Sequence, residues 1–396
     1  MNTALILPPT LWSFRPIAGL PLITRTVLSA VRARFERIVM VAGADGERVR
    51  AALSVHPRTR HVEVIDGYPP PSINEGLVTV IPGDCVLSPV TLNRVAEEPL
   101  RARALVFTRP GSTGGVLVCA AEVLNGALDD ASPWDAVLDK VKGFVETVVL
   151  GHEACIRVTD VATSVAAERE LFAEMRASTA ASDGPLARWF DRSLSQWISR
   201  RLVVTSVRPN HITIVGTTIG LVGAWCIAQG IYGLEVLGTF LFLGAVVLDG
   251  CDGEVARLKF QDTAFGHAFD ITTDNIVHAA IFIALGVGQY RQHPDHDYRL
   301  LIIVFLGGIA CAAGATYWCF LRNVPLSGAA TARTFKGRIR NRLLRVFEAT
   351  MNRDFAYLLF VLAVVHRLEW FFWAAACGTY LFSAALLLVY RLRVAD

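Results

Sequence analysis

From about residue 211 the chain becomes a succession of apolar stretches, with approximate spans 211–230, 232–250, 267–288, 299–321, 354–366 and 370–390. A helix needs about 20 apolar residues to cross a bilayer. Inside hydrocarbon each backbone N–H and C=O must find its partner within the protein, which restricts such segments to helices or closed barrels. The spans therefore predict an all-α membrane domain of six transmembrane helices. The fifth is the shortest, because His366-Arg367 interrupts it. The 53% hydrophobic content and mean hydropathy of +0.44 agree with a membrane part. A net charge of +3 carries no footprint for nucleic acid. Eight cysteines without a CxxC pair read as reduced core thiols, and the opening residues contain no secretory signal.

Basic residues set the expected orientation. Arg200, Arg201 and Arg208 precede the first span, and Arg257 and Lys259 follow the second. Seven more lie between Arg333 and Arg353, and Arg391 and Arg393 close the chain. The alternate loops are short and less basic. With six spans, the positive-inside rule puts both termini in the cytoplasm.

Carboxylates stand beside these apolar runs. Asp249 and Asp252 are three residues apart, and Asp270 and Asp274 four apart, so each pair shares one face of its helix. Ionised carboxylates near hydrocarbon persist only with partners. No Lys or Arg within the two helices matches four acids. Divalent cations would, and an all-oxygen donor set favours Mg2+ or Mn2+. Two ions between the facing helices would neutralise a diphosphate at both the attacked and the leaving phosphate. Gly253 and Ala256 leave room for a nucleotide against the backbone, and Arg257 offers a fork donor for phosphate oxygens.

The full run, Asp249-x2-Asp252-Gly253-x2-Ala256-Arg257-x8-Gly266-x3-Asp270-x3-Asp274, resembles at every position the signature of the CDP-alcohol phosphotransferase family. The resemblance implies a metal-dependent enzyme of phospholipid or inositol-phosphate metabolism. It would move a substituted phosphate from a CDP-alcohol to a hydroxyl acceptor and release CMP. It implies Asp249, Asp252 and Asp270 as metal ligands, with Asp274 as both ligand and catalytic base. The run Pro209-Asn210-His-Ile-Thr213 resembles the family's opening of the first membrane helix, which makes Asn210 and Thr213 nucleotide contacts. Asn210 also suits a helix N-cap. For a phosphorylated polyol acceptor, Arg353 and Arg338 are the candidate phosphate contacts; the same basic stretch suits lipid headgroups. A homodimer follows from the resemblance alone. A channel or transporter is the competing class, but its acids would be scattered over several helices and not clustered at one membrane face.

Residues 1–165 alternate strand-like and helix-like segments, which predicts an α/β Rossmann-like domain with a largely parallel sheet. Its first strand, Gly19-Leu-Pro-Leu-Ile-Thr-Arg and Val80-Ile-Pro-Gly-Asp84 resemble a sugar nucleotidyltransferase, where an Asp in the Asp84 position holds the catalytic metal. Where that family has a Gly-rich phosphate loop, this chain has Pro8-Pro9-Thr-Leu-Trp12. Prolines lack N–H groups to cradle a triphosphate. The domain therefore reads as a degenerate one. The alternative is a bifunctional chain that makes its own CDP-alcohol, like the enzymes that form CDP-inositol and then di-myo-inositol phosphate phosphate. Residues 166–209 read as a linker and an interfacial amphipathic helix. In it Leu186, Phe190, Leu194, Trp197 and Ile198 recur at helical spacing, with Arg188, Arg192, Arg200 and Arg201 elsewhere. The membrane domain then occupies 210–396.

Overall fold

A computed structural model of the chain describes residues 2–67, 76–109, 114–125, 134–151, 155–179, 190–293, 355–394 and parts of 303–318. It divides into two compact units. The first comprises Met1–Ser178, Val203–Thr205 and Leu258–Phe260; the second comprises Thr179–Leu202, Ser206–Arg257 and Gln261–Asp396.

The first unit is α/β. In chain order it runs β1 (Asn2–Ile6), a small hairpin of β2 (Pro16–Ile17) and β3 (Leu20–Pro21), α1 (Leu22–Arg32), β4 (Arg37–Val41) and α2 (Gly46–Ser54). Next come β5 (Glu63–Ile65), β6 (Leu77–Ile81), β7 (Cys85–Leu87), α3 (Pro89–Glu97), β8 (Ala104–Thr108) and β9 (Gly115–Ala120). It closes with α4 (Ala121–Asn125), α5 (Trp134–Val141), β10 (Val145–Val149), β11 (Cys155–Arg157) and α6 (Val161–Thr179). Seven strands form one sheet in the order β10-β8-β9-β6-β1-β4-β5. All neighbours are parallel except β9, which runs antiparallel to both β6 and β8. Successive side chains of a strand point to opposite faces. Here Leu5 and Val80 enter one apolar core while Ile6 and Ile81 enter another, so the sheet is covered on both sides.

The chain leaves β1 for β4 and β5 on one side, then returns to β6 on the other. The carboxyl ends of β1 and β6 thus flank the topological switch point, where open α/β sheets keep their ligand crevice. Gly83 follows β6 there. A Cβ at this position would lie 2.6 Å from the Leu7 carbonyl oxygen, so only glycine lets the two strand ends approach.

The second unit is helical: α7 (Arg192–Leu202), α8 (Pro209–Ala228), α9 (Tyr232–Leu258), α10 (Ala264–Gln292), α11 (Phe355–Val364) and α12 (Leu368–Val394), with further helical residues at 303–308. Among the described residues four helices are long and apolar enough to cross a membrane: α8, α9, α10 and Leu368–Leu388 of α12. Helix α11 is apolar but shorter. It ends just before His366, which adopts φ 55°, so the expected interruption is a physical break in the helix. Most of the stretch expected at 299–321 lies outside the described residues.

Small residues let α8 and α9 touch. A Cβ on Gly238 would fall 2.5 Å from the Gly223 carbonyl oxygen, leaving no space for any side chain. Phe242, Leu359, Phe371 and Phe372 fill the core beyond this contact. Helix α7 presents an inverted pattern. It buries Ser195, Gln196 and Ser199 and exposes Leu194 and Trp197, with Phe190 exposed just ahead of it. Arg201 lies over the Trp197 ring at 3.6 Å.

Candidate metal and nucleotide site

Helices α8, α9 and α10 bring the signature residues together. The last third of α9 carries Asp249 and Asp252 one turn apart, and the first two turns of α10 carry Asp270. Oxygen atoms of Asp249, Asp252 and Asp270 all lie within 4.8 Å of one another. Among the described residues this is the one such group of three ligand-type side chains. Asp252 is buried, and Thr213 of α8 donates its hydroxyl to Asp252 Oδ2 at 2.5 Å. Oδ1 of Asp270 is buried with no hydrogen-bond partner.

Three carboxylates at this separation repel strongly in a partly dry site. An orphaned buried oxygen adds the cost of an unmet acceptor. Both costs vanish if a hard divalent cation sits among the oxygens, since Mg2+ takes oxygen donors at about 2.0–2.1 Å in octahedral array. The donor set therefore fits Mg2+ or Mn2+, as the acid spacing predicts.

Asp274 stands apart from this trio. It lies one turn beyond Asp270 on α10, and its Oδ1 is 3.3 Å from His278 Nδ1. His278 in turn packs edge-on against Phe242, with ring centroids 5.7 Å apart. Asp274 lines a narrow cleft with Asp249, Asp252, Thr217 and Thr273, walled on its apolar side by Phe242, Val246 and Val277.

A second cavity, of about 180 Å3, adjoins the acids. Asn210, Thr213, Gly253, Ala256 and Arg257 all line it, together with Asp252 and Asp270. Every residue expected to touch the nucleotide thus faces one space. The N-cap of α8 is Arg208, with Pro209 at the first helical position, so Asn210 is not the cap and its side chain is available to the cavity. The Thr263 side chain caps α10 by accepting from the Gly266 N–H at 2.9 Å. Gly266 keeps that corner open, since a Cβ there would come within 3.4 Å of Asn210 Oδ1.

Sequence reasoning passed over four residues of this cavity: Gln261, Asp262, Thr263 and His267. His267 precedes Asp270 by three positions, so it shares that helix face; the spacing alone would have found it. Arg338 and Arg353, the candidate acceptor contacts, lie outside the described residues.

Residues 206–379 match the CDP-alcohol phosphatidyltransferase family. The chain is similar to a bifunctional IPC transferase and DIPP synthase of Rubrobacter xylanophilus, 36% identical over 107 residues, covering 27% of this chain and 24% of that protein. It is also similar to one of the same name from Archaeoglobus fulgidus, 27% identical over 211 residues, covering 52% of this chain and 36% of that protein. The chain thus spans about a quarter to a third of the length of these curated relatives. A phosphatidylinositol phosphate synthase of Mycobacterium tuberculosis, solved with CDP-DAG bound, is 20% identical over 51% of this chain and 92% of its own, with a TM-score of 0.32.

Proposed function

Taking residues 206–379 as a CDP-alcohol phosphatidyltransferase domain, we propose that this chain is an integral membrane transferase. It moves a substituted phosphate from a CDP-alcohol to a hydroxyl acceptor and releases CMP. One observation carries this reading: Asp249, Asp252 and Asp270 converge beside the cavity lined by Asn210, Thr213, Gly253, Ala256 and Arg257.

Asp249, Asp252 and Asp270 would hold Mg2+ or Mn2+, one ion or two, with Asp274 as a further ligand. Such ions supply Lewis-acid stabilisation of charge on the phosphates. The chain's own groups do the rest. Arg257 fixes phosphate oxygens, and Gly253 and Ala256 let the donor lie against α9. Thr213 orients Asp252 through its hydrogen bond. Asp274, outside the tight trio, takes the acceptor's proton as its oxygen bonds to phosphorus. The pyrophosphate link then breaks, and CMP leaves with the bond's electron pair.

Six spans, cytoplasmic termini and a cytoplasmic site agree with the Arg-rich flanks of the apolar segments. Helix α7 serves as an interfacial helix, a reading supported by Leu194 and Trp197, which remain exposed among the described residues. Residues 1–165 form the nucleotidyltransferase-like domain, 166–209 the linker and interfacial helix, and 210–396 the membrane domain. Arg338 and Arg353 hold the acceptor's phosphate, the acceptor being a phosphorylated polyol or a lipid, and the chain works as a homodimer. A bifunctional chain that also makes its CDP-alcohol is the second reading, favoured by the bifunctional names of the relatives.

The test uses detergent-purified protein, Mg2+, a panel of CDP-alcohols and a panel of polar and lipid acceptors, with products identified by mass spectrometry. CMP accompanied by a phosphodiester product supports the assignment. Absence of CMP across the whole panel contradicts it.

A further inference from the structure

Asp84 sits at the switch point of the α/β unit, where a nucleotidyltransferase of this type would place a metal-binding carboxylate. Its surroundings do not fit a metal. Arg157, the last residue of β11, directs its Nε to both carboxylate oxygens of Asp84 at 3.1 Å each. The same guanidinium donates from Nη1 to Asp135 Oδ2 at 2.8 Å. Asp84 is 3% exposed, and the Arg157 side chain 13%.

The backbone enforces this arrangement. Strand β11 pairs antiparallel with β7, opposing Arg157 to Cys85, the neighbour of Asp84. The Val158 N–H then bonds the Asp84 carbonyl at 2.8 Å. Arg157 is thereby locked beside Asp84 by main-chain register. Burial works against its charge, but the bonds to Asp135 and Asp84 outweigh that and hold its pKa above the ordinary arginine value. The shared Nε–H holds a fixed positive charge against both oxygens, and that charge repels a cation approaching either one. The turn ahead of Asp84 is closed as well, since Gly83 abuts the Leu7 and Pro8 carbonyls with no gap between them.

We propose that Arg157 is a built-in cation that stands at Asp84 in place of a divalent metal, so that the α/β unit supports no nucleotidyl transfer. If the membrane unit consumes a CDP-alcohol, as proposed above, that donor must come from a separate reaction. In that reaction an alcohol phosphate oxygen attacks the α-phosphorus of CTP, the α–β link breaks, and pyrophosphate leaves.

The experiment uses the full chain in detergent with Asp249, Asp252 and Asp270 changed to Asn, so that the membrane acids do not report. Mn2+ binding is read by electron paramagnetic resonance. With Arg157 intact, no Mn2+ should bind below about 1 mM. Adding Arg157→Ala should create a site at least about tenfold tighter, which Asp84→Asn then removes. In the chain that already carries the three Asn changes, Arg157→Ala should recover its unfolding profile once Mn2+ is added, which separates lost fold from lost function. Mn2+ binding in the presence of Arg157 that disappears with Asp84→Asn would overturn the proposal. So would pyrophosphate release from CTP and a panel of alcohol phosphates that depends on Asp84. Failure of the membrane-site reading shows separately, as no CMP release by the unaltered chain.

Discussion

Ser195 of α7 donates its hydroxyl to Glu254 of α9 at 2.8 Å, two residues beyond Asp252. Glu254 is 1% exposed, and Arg192 of α7 reaches the same oxygen at 3.4 Å. The polar face of α7 is thereby pinned to the helix that carries the acids. This explains why α7 turns serines inward and leaves Trp197 outside.

Removing one partner of a buried charged pair typically costs about 3–5 kcal/mol, because the other charge is stranded. Glu254→Ala should therefore destabilise the helical unit on that scale, whereas Ser195→Ala should cost about 1–3 kcal/mol. Thermal unfolding in detergent checks both. Equal melting temperatures for Glu254→Ala and the parent would mean that α7 is not held by this contact.

The contact between α8 and α9 gives a second outcome. Gly238→Ala places a methyl group against the Gly223 carbonyl, and overpacking of this kind costs about 1–3 kcal/mol. Because the two helices also share the Thr213–Asp252 bond, CMP release should fall together with the melting temperature. A stable variant with full activity would show that the helices separate without cost.

The soluble unit predicts a pH dependence. Burial raises the Asp84 pKa above the ordinary carboxylate value, and Arg157 opposes this. A carboxyl whose folded pKa is raised contributes stability that is fully present below its unfolded pKa, about 3.9, and lost as pH rises through the folded value. Arg157→Met removes the opposing cation and raises Asp84 further. The variant's loss in melting temperature should therefore be larger at pH 8 than at pH 5. A constant loss across that range would show that Asp84 does not sense Arg157.

Much of this was legible in the sequence, for reasons that differ by residue. Asp249, Asp252 and Asp270 are close along the chain, and helical geometry alone puts the first two on one face. The break at His366 was visible as charge inside an apolar run. The Asp84–Arg157 pair was not visible, since 73 residues separate its members and only the β7–β11 register brings them together. Periodicity marked an apolar stripe on α7 and pointed it toward an interface, but gave no partner for the polar face. That partner is Glu254, a residue the motif leaves unspecified. The antiparallel insertion of β9 in the sheet was likewise hidden, because an apolar run such as Gly115–Ala120 reads the same in either direction.

Asp274 carries the prediction on proton transfer. Asp274→Asn should slow CMP release by about a hundredfold or more, the scale expected for loss of a general base, while donor binding persists. Parallel loss of rate and binding would reduce it to a ligand.

The acid cluster is tested most directly by following CMP release and Mn2+ binding together in the parent chain and in Asp270→Asn. The parent should release CMP from a CDP-alcohol only when Mg2+ or Mn2+ is supplied, and should bind Mn2+. Asp270→Asn should lose both while keeping its melting temperature, since its Oδ1 makes no hydrogen bond to forfeit. Metal-independent CMP release, or an Asp270→Asn variant with near-parental turnover, would contradict the account.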